Sequence, residues 1–319
     1  MAGTLFNHKP DQPVFPPAPR GARLARSLRR WRVPIILFAV YLTLVSCVGL
    51  RDMMLLHPSV DPIVADGAEK VQLARSDGGV TDAFIARSPA CATQAPEAWV
   101  LNFTGNGTRA EWIAAEIAQR WQNHPVEVVT VNYPGYGGST GPASLDKIPP
   151  MALDAFDAVK KRAGDHPVIV TGHSLGCTAA LYVGAHRNVA GMMLQNPPPL
   201  RQLIIGHFGW WNLWLGALPI AYQIPSQLDA IACARDCRAP AVLITSLQDD
   251  YVPPRYHKMV IDAYAGPHSV VAFDGGHNTA PDAAPQFPGA IDWLWHQAGL
   301  PPAPPLTNAV EPPPHEMAG

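Results

Sequence analysis

Between residues 98 and 296 the chain switches repeatedly between two rhythms, and few architectures accept that order. Short apolar runs that read as buried strands occupy 98–103, 126–131, 167–171, 189–194, 241–245 and 269–273, and helical segments at 109–121, 150–163, 175–186, 253–264 and 288–296 follow most of them. Strand and helix in alternation predict a mostly parallel sheet covered on both faces. Upstream, two β-rich runs within 70–87 flank Asp77-Gly78-Gly79, a hairpin signal that starts the sheet antiparallel. Ligands of such sheets gather at the carboxyl ends of the strands, so every candidate catalytic residue should follow a strand.

One motif meets that condition first. Gly172-His173-Ser174-Leu175-Gly176 follows the strand at 167–171 and opens a helix of small residues. Glycines two before and two after the serine allow a tight strand-to-helix turn that lifts the Ser174 hydroxyl out of the sheet. A serine hydroxyl is a weak nucleophile at neutral pH and needs a base, which in turn needs an orienting acid. His277, in Asp274-Gly275-Gly276-His277-Asn278, follows the last strand, and Asp249 and Asp250 follow the strand before it. His207, His257, His268 and His296 fall in an insertion, in helices or before a strand, so the expected base is His277. Acyl transfer also needs donors for a developing oxyanion. The backbone amides of Leu175 and of Asn106, in the glycine-rich loop Asn102-Phe103-Thr104-Gly105-Asn106-Gly107, are the candidates.

These residues resemble the α/β-hydrolase superfamily, and within it the Bem46/ABHD13-like membrane-anchored serine hydrolases. Phe103-Thr104-Gly105-Asn106 resembles their strand-to-HGN pattern with Thr for His, and Asn132-Tyr133-Pro134-Gly135-Tyr136-Gly137-Gly138-Ser139 resembles their DYRGYGxS with Asn132 and Pro134 as departures. The resemblance spans roughly 58–300. It implies the α/β-hydrolase fold with a mostly parallel central sheet flanked by helices and a small helical cap at 200–237. It also implies serine-based hydrolase activity, without implying a substrate; the leading reading is a Ser174-His277-Asp249 triad that cleaves an ester, thioester or amide with a lipid-like or small acyl group and needs no cofactor or metal. The family frame puts Ser246 three residues before the acid and Val252 three after it, selecting Asp249 over Asp250. A peptidase of the prolyl or aminopeptidase type, and a non-catalytic binding protein on the same fold, are the competing readings.

Outside this domain, 33–50 is an uncharged apolar run that as one helix would span about 27 Å. Arg20, Arg23, Arg26, Arg29, Arg30 and Arg32 precede it, and Arg51 and Asp52 follow. The positive-inside rule then predicts a cytoplasmic tail, 1–32, a signal anchor, 33–50, and a hydrolase domain, 51–300, on the extracytoplasmic side. Leu44-Val45-Ser46-Cys47 also resembles a lipoprotein signal, which leaves a lipidated Cys47 open, and an Arg-rich organellar signal is a third option. Of the 35 prolines, two groups crowd near the ends, and the tail 301–319 is expected to be disordered. A net charge of -2 without a basic patch argues against nucleic acid. The cysteines fit no zinc pattern, and Cys233 and Cys237 are open as a pair or as two free thiols. In the cap, Trp210, Trp214 and Leu218 stand at helical spacing, suited to an acyl-binding wall, a membrane-resting surface or packing onto the core.

Overall fold

The computed structural model describes residues 20–45, 48–210 and 214–303 and divides the chain into two units, 1–45 and 46–319. The tail at 304–319, like residues 1–19, lies outside the described residues.

The first unit is helix α1 (Arg20–Val45), which leaves Trp31, Ile35, Ile36, Leu37 and Phe38 exposed. The anchor expected over 33–50 falls partly in α1, which ends at Val45, and partly in a new helix, α2 (Val48–Leu55); Ser46 and Cys47 between them lie outside the described residues. The uncharged part of α1 rises only about 20 Å against a hydrocarbon core of about 30 Å. No described helix is long and apolar enough to cross a membrane.

The second unit opens with α2, and here Arg51 and Asp52 are buried parts of the domain rather than charges flanking a membrane span. Arg51 donates to Asp52 and Asp146 at 2.9 Å each and to the Gln223 carbonyl at 2.7 Å, while Asp52 accepts from the Leu145 amide at 3.1 Å. A buried guanidinium is tolerated because its fork is filled in this way.

Beyond α2 come eight strands: β1 (Glu69–Ala74), β2 (Val80–Arg87), β3 (Ala98–Phe103), β4 (Val126–Val131), β5 (Val168–His173), β6 (Gly191–Gln195), β7 (Ala241–Ser246) and β8 (His268–Phe273). They form one sheet in the order β1-β2-β4-β3-β5-β6-β7-β8. The hairpin pairs β1 with β2, β2 runs antiparallel to β4, and every later pair is parallel. Between the strands stand α3 (Ala110–Gln119), α4 (Ile148–Ala163), α5 (Leu175–His186), α6 (Leu200–Gly206), α7 (Ala217–Tyr222), α8 (Ala230–Asp236) and α9 (Pro254–Ile261), and α10 (Phe287–Gln297) follows β8.

The central strands read as continuous apolar runs because both faces are covered. Leu101, Val129, Val170 and Leu243 pack with Phe156 of α4, Leu181 of α5 and Val260 of α9, whereas Val100, Val128, Ile169 and Val242 pack with Ala118 of α3 and Leu294 and Trp295 of α10. Each such large side chain contributes about 1.5–3 kcal/mol by leaving water.

The small helical cap is present, and among the described residues it holds three short α-helices, α6, α7 and α8. Trp210, Trp214 and Leu218 do not share one helix face, because Trp214 sits at φ 59° and α7 begins only at Ala217. Nor do they pack onto the core: Trp210 is 67% exposed, and Trp214 and Leu218 are exposed too. Cys233 and Cys237 are free thiols on one turn of α8 and just past it.

Candidate active site

The elbow is strained where the sequence requires it. Ser174 stands between β5 and α5 at φ 51°, ψ −120°, a region that costs a side-chain-bearing residue of order 1–3 kcal/mol. Its amide donates to the Gln195 carbonyl at the end of β6, 2.9 Å away. A Cβ on Gly172 would lie 2.5 Å from the Gly176 carbonyl oxygen, so the two glycines let the turn close on itself.

His277 follows β8 as expected. Its Nε2 is 2.9 Å from Ser174 Oγ and its Nδ1 is 2.6 Å from Asp249 Oδ2. Asp249 is buried and its other oxygen accepts from the amides of Tyr251 and Val252 at 2.9 and 2.8 Å. Burial raises the carboxyl's affinity for a proton, but donors from His257, His277 and the Val252 amide outweigh it, so Asp249 is held well below the usual carboxylate range. Asp250 is exposed and outside this network. The paired acids are therefore separated by geometry as the frame expected.

The two expected amide donors, Asn106 and Leu175, stand on different elements. Leu175 is the first residue of α5, and Asn106 lies in the loop after β3. The Asn106 side chain is committed elsewhere: Nδ2 donates to the Leu55 carbonyl at 2.7 Å, and Oδ1 accepts from the His57 amide and the Tyr136 hydroxyl at 3.1 Å each. Thr104, in the place of the family histidine, ties the loop by donating to the Thr108 carbonyl at 3.0 Å, while Tyr133 donates to the Thr104 carbonyl at 2.7 Å. Asn132 caps α3 by accepting from the Ala110 amide at 2.8 Å, and the buried Ser139 hydroxyl donates to the Asn132 carbonyl at 3.2 Å. The second motif is thus a brace for the loop and not a source of reacting groups.

Three positions escaped sequence reasoning. His173 donates from Nε2 to the His277 carbonyl at 2.9 Å, and Asn196, at φ 54°, donates to the same carbonyl at 2.9 Å. Together they fix the loop that carries the imidazole. Desolvation, reinforced by the adjacent His277, pushes His173 down to about 4, so it is neutral at pH 7 and keeps one nitrogen as a donor. The third is His257, fully buried in α9, whose Nε2 lies 3.2 Å from Asp249 Oδ2. The only sequence signal for His173 and Asn196 was position, one before the nucleophile and one after β6. Among the described residues no group of three or more His, Cys, Asp or Glu is arranged to hold a metal ion.

Comparison with known proteins adds the following. A model of the alpha/beta hydrolase family matches residues 96–232, from just before β3 into α8, which includes the elbow but ends before Asp249 and His277. An uncharacterised protein of Mycobacterium tuberculosis H37Rv is 27% identical over 184 residues, 56% of this chain and 62% of that protein. The lysophosphatidylserine lipase ABHD12 of Gallus gallus is 34% identical over 107 residues, covering 33% of this chain and 26% of the lipase. The chain therefore spans about three fifths of the first relative and a quarter of the second. Among solved structures, the Pyrococcus furiosus esterase Pf2001 superposes with a TM-score of 0.60 at 11% identity over 76% of this chain and 97% of the esterase. A puromycin-hydrolyzing peptidase of Mycobacterium tuberculosis gives 0.58 at 18% identity over 76% and 41%. The sheet order, the elbow and the superposed structures agree on the α/β-hydrolase fold, and residues 96–232 are similar to the alpha/beta hydrolase family.

Proposed function

We propose that this chain is a serine hydrolase that cleaves a carboxylic ester, with thioester and amide as related substrates, through an acyl-enzyme. The observation that carries the reading is the unbroken line from Ser174 Oγ through the two nitrogens of His277 to Asp249 Oδ2, at 2.9 and 2.6 Å.

In this reading His277 Nε2 takes the Ser174 proton as Oγ attacks the carbonyl carbon, and the imidazolium is stabilised by the Asp249 carboxylate. Charge that develops on the carbonyl oxygen is met by the Asn106 and Leu175 amides, which cost no reorganisation because loop and helix are already tied down. His277 then returns the proton to the leaving group, and a water, deprotonated by the same nitrogen, releases the acid. No cofactor enters this scheme. A lipid-like acyl group is supported by the likeness to the lysophosphatidylserine lipase and by the exposed Trp210, Trp214, Leu215 and Leu218 of the cap.

The arginine-rich start and exposed apolar face of α1 support attachment of the amino-terminal segment to a membrane, with the hydrolase domain on the extracytoplasmic side. Alkaline extraction of membranes checks this part: full-length chain in the pellet is the expected result, and release into the supernatant contradicts it.

The chemistry is tested by fluorophosphonate labelling of the full chain. Labelling lost in Ser174→Ala but retained in Ser226→Ala is expected; an unlabelled wild type contradicts the enzyme reading. Turnover of p-nitrophenyl esters of increasing length beside aminoacyl anilides then separates esterase from peptidase, and faster anilide cleavage would favour the latter.

A further inference from the structure

The triad acid has a second histidine. Asp249 Oδ2 accepts from His277 Nδ1 at 2.6 Å, and on its other side lies His257 Nε2 at 3.2 Å, both side chains fully buried. The far nitrogen of His257, Nδ1, is 2.8 Å from the Thr245 hydroxyl on β7. A carboxylate offers only acceptors, so the nitrogen facing Asp249 must carry a proton, and a neutral ring then leaves Nδ1 as an acceptor for the Thr245 hydroxyl. Asp249 thus sets the tautomer of both histidines, and the Thr245 hydroxyl, able to donate, holds the far nitrogen of His257.

We propose that His257 is a positioning residue for the proposed hydrolysis: held by Thr245, its Nε2–H shares Asp249 Oδ2 with His277 and sets how strongly that carboxylate draws a proton onto His277. The inference rests on the reading of Ser174, His277 and Asp249 as the working triad. A donor on Oδ2 spreads the carboxylate's charge and weakens its hold on an imidazolium. It also holds the carboxylate against rotation away from His277. The groups facing this cluster are few. His173 lies against His277 with ring centroids 5.0 Å apart, Tyr251 lies 5.5 Å from it on the other side, and Asp250 points to solvent. The side chain nearest His257 beyond Asp249 is Thr245.

Removal of this donor has a signed consequence. In His257→Leu the carboxylate is more basic, the His277 imidazolium more stable, and the acidic limb of kcat/KM moves to higher pH, by about 0.5–1 pH unit. Turnover at neutral pH drops about tenfold because the acid is less well held. His257→Gln, whose amide nitrogen can reach Oδ2, restores the limb. A residue that only filled space would leave the limb in place in both variants.

The test is the pH dependence of fluorophosphonate labelling rate and of p-nitrophenyl ester turnover in the full chain, for wild type, His257→Leu, His257→Gln and Thr245→Val. The last is close in volume, removes the hydroxyl that holds the far nitrogen of His257, and is expected to move the limb part of the way. If His257→Leu does not fold, Thr245→Val decides alone. A limb that stays at the wild-type position in a folded His257→Leu, or in Thr245→Val, overturns the proposal while leaving the triad intact. A wild type that neither labels nor turns over overturns the triad reading first, and this one with it.

Discussion

A methyl group on Gly176 would lie 2.2 Å from the carbonyl oxygen of Phe103. The first turn of α5 is therefore pressed against the end of β3, and that contact brings the Leu175 amide toward the loop that carries Asn106. Gly176→Ala is expected to force the two elements apart, lowering stability by about 1–3 kcal/mol and turnover by more than that loss of folded protein explains. Thermal unfolding and ester turnover measured on the same sample separate the two effects.

Asp249 and Asp250 offer a sharper contrast. Asp249→Asn keeps the volume but donates where His277 also donates, so the imidazole loses its working tautomer, and turnover should fall by about 10⁴-fold. Asp250→Asn, on an exposed side chain, should stay within twofold of wild type. The reverse ranking in steady-state kinetics would move the triad by one residue.

The Asn106 side chain holds the backbone of residues 55 and 57 without reaching the substrate. Asn106→Ala leaves the main-chain amide available but unties the loop. kcat should fall about tenfold with little change in KM, because a looser donor affects the developing oxyanion more than the bound ester. A change confined to KM would argue that this loop binds the acyl group and not the oxyanion.

His173 predicts how stability depends on pH. Its folded value of about 4 lies below the ordinary histidine value of 6.5, so the unfolded chain binds the proton more readily in the interval between them. The stabilisation is complete above about pH 6.5, declines as pH falls toward 4, and is gone below that, roughly 2–3 kcal/mol in all. Melting temperatures of wild type and His173→Asn across pH 4–7 should converge at the acid end. Parallel curves would remove His173 from the acid sensitivity of the fold.

Much of this architecture was legible because a parallel sheet covered on both faces leaves a strong trace. Strands such as β4 and β7 are buried at every position and apolar at four of six, and glycines or acids follow where a strand ends at the site. Ser174, His277 and Asp249 were picked out by that rule, by chain order and by the family frame, and the structure brings the three side chains within hydrogen-bond reach. His257 was not, since a histidine within an amphipathic helix looks like any other, and only the closure of α9 over β7 points it at Asp249. The aromatic spacing in the cap misled for a related reason. Trp210, Trp214 and Leu218 fit a helix by number, but Trp214 takes a left-handed backbone and its indole donates to the Ile205 carbonyl at 2.9 Å. A local hydrogen bond there outweighs the periodicity. The hydropathy of 33–50 carries no information about the partners that bury Arg51 and Asp52 just beyond it.

Those partners bear on how the enzyme can be cut. Helix α2 reaches the cap through Gln223, the loop before α4 through Leu145 and Asp146, and the oxyanion loop through Leu55 and Asn106. A fragment that starts at Pro58 keeps every strand and every proposed catalytic side chain, yet omits the helix that ties three separate loops and helices of the domain to one another.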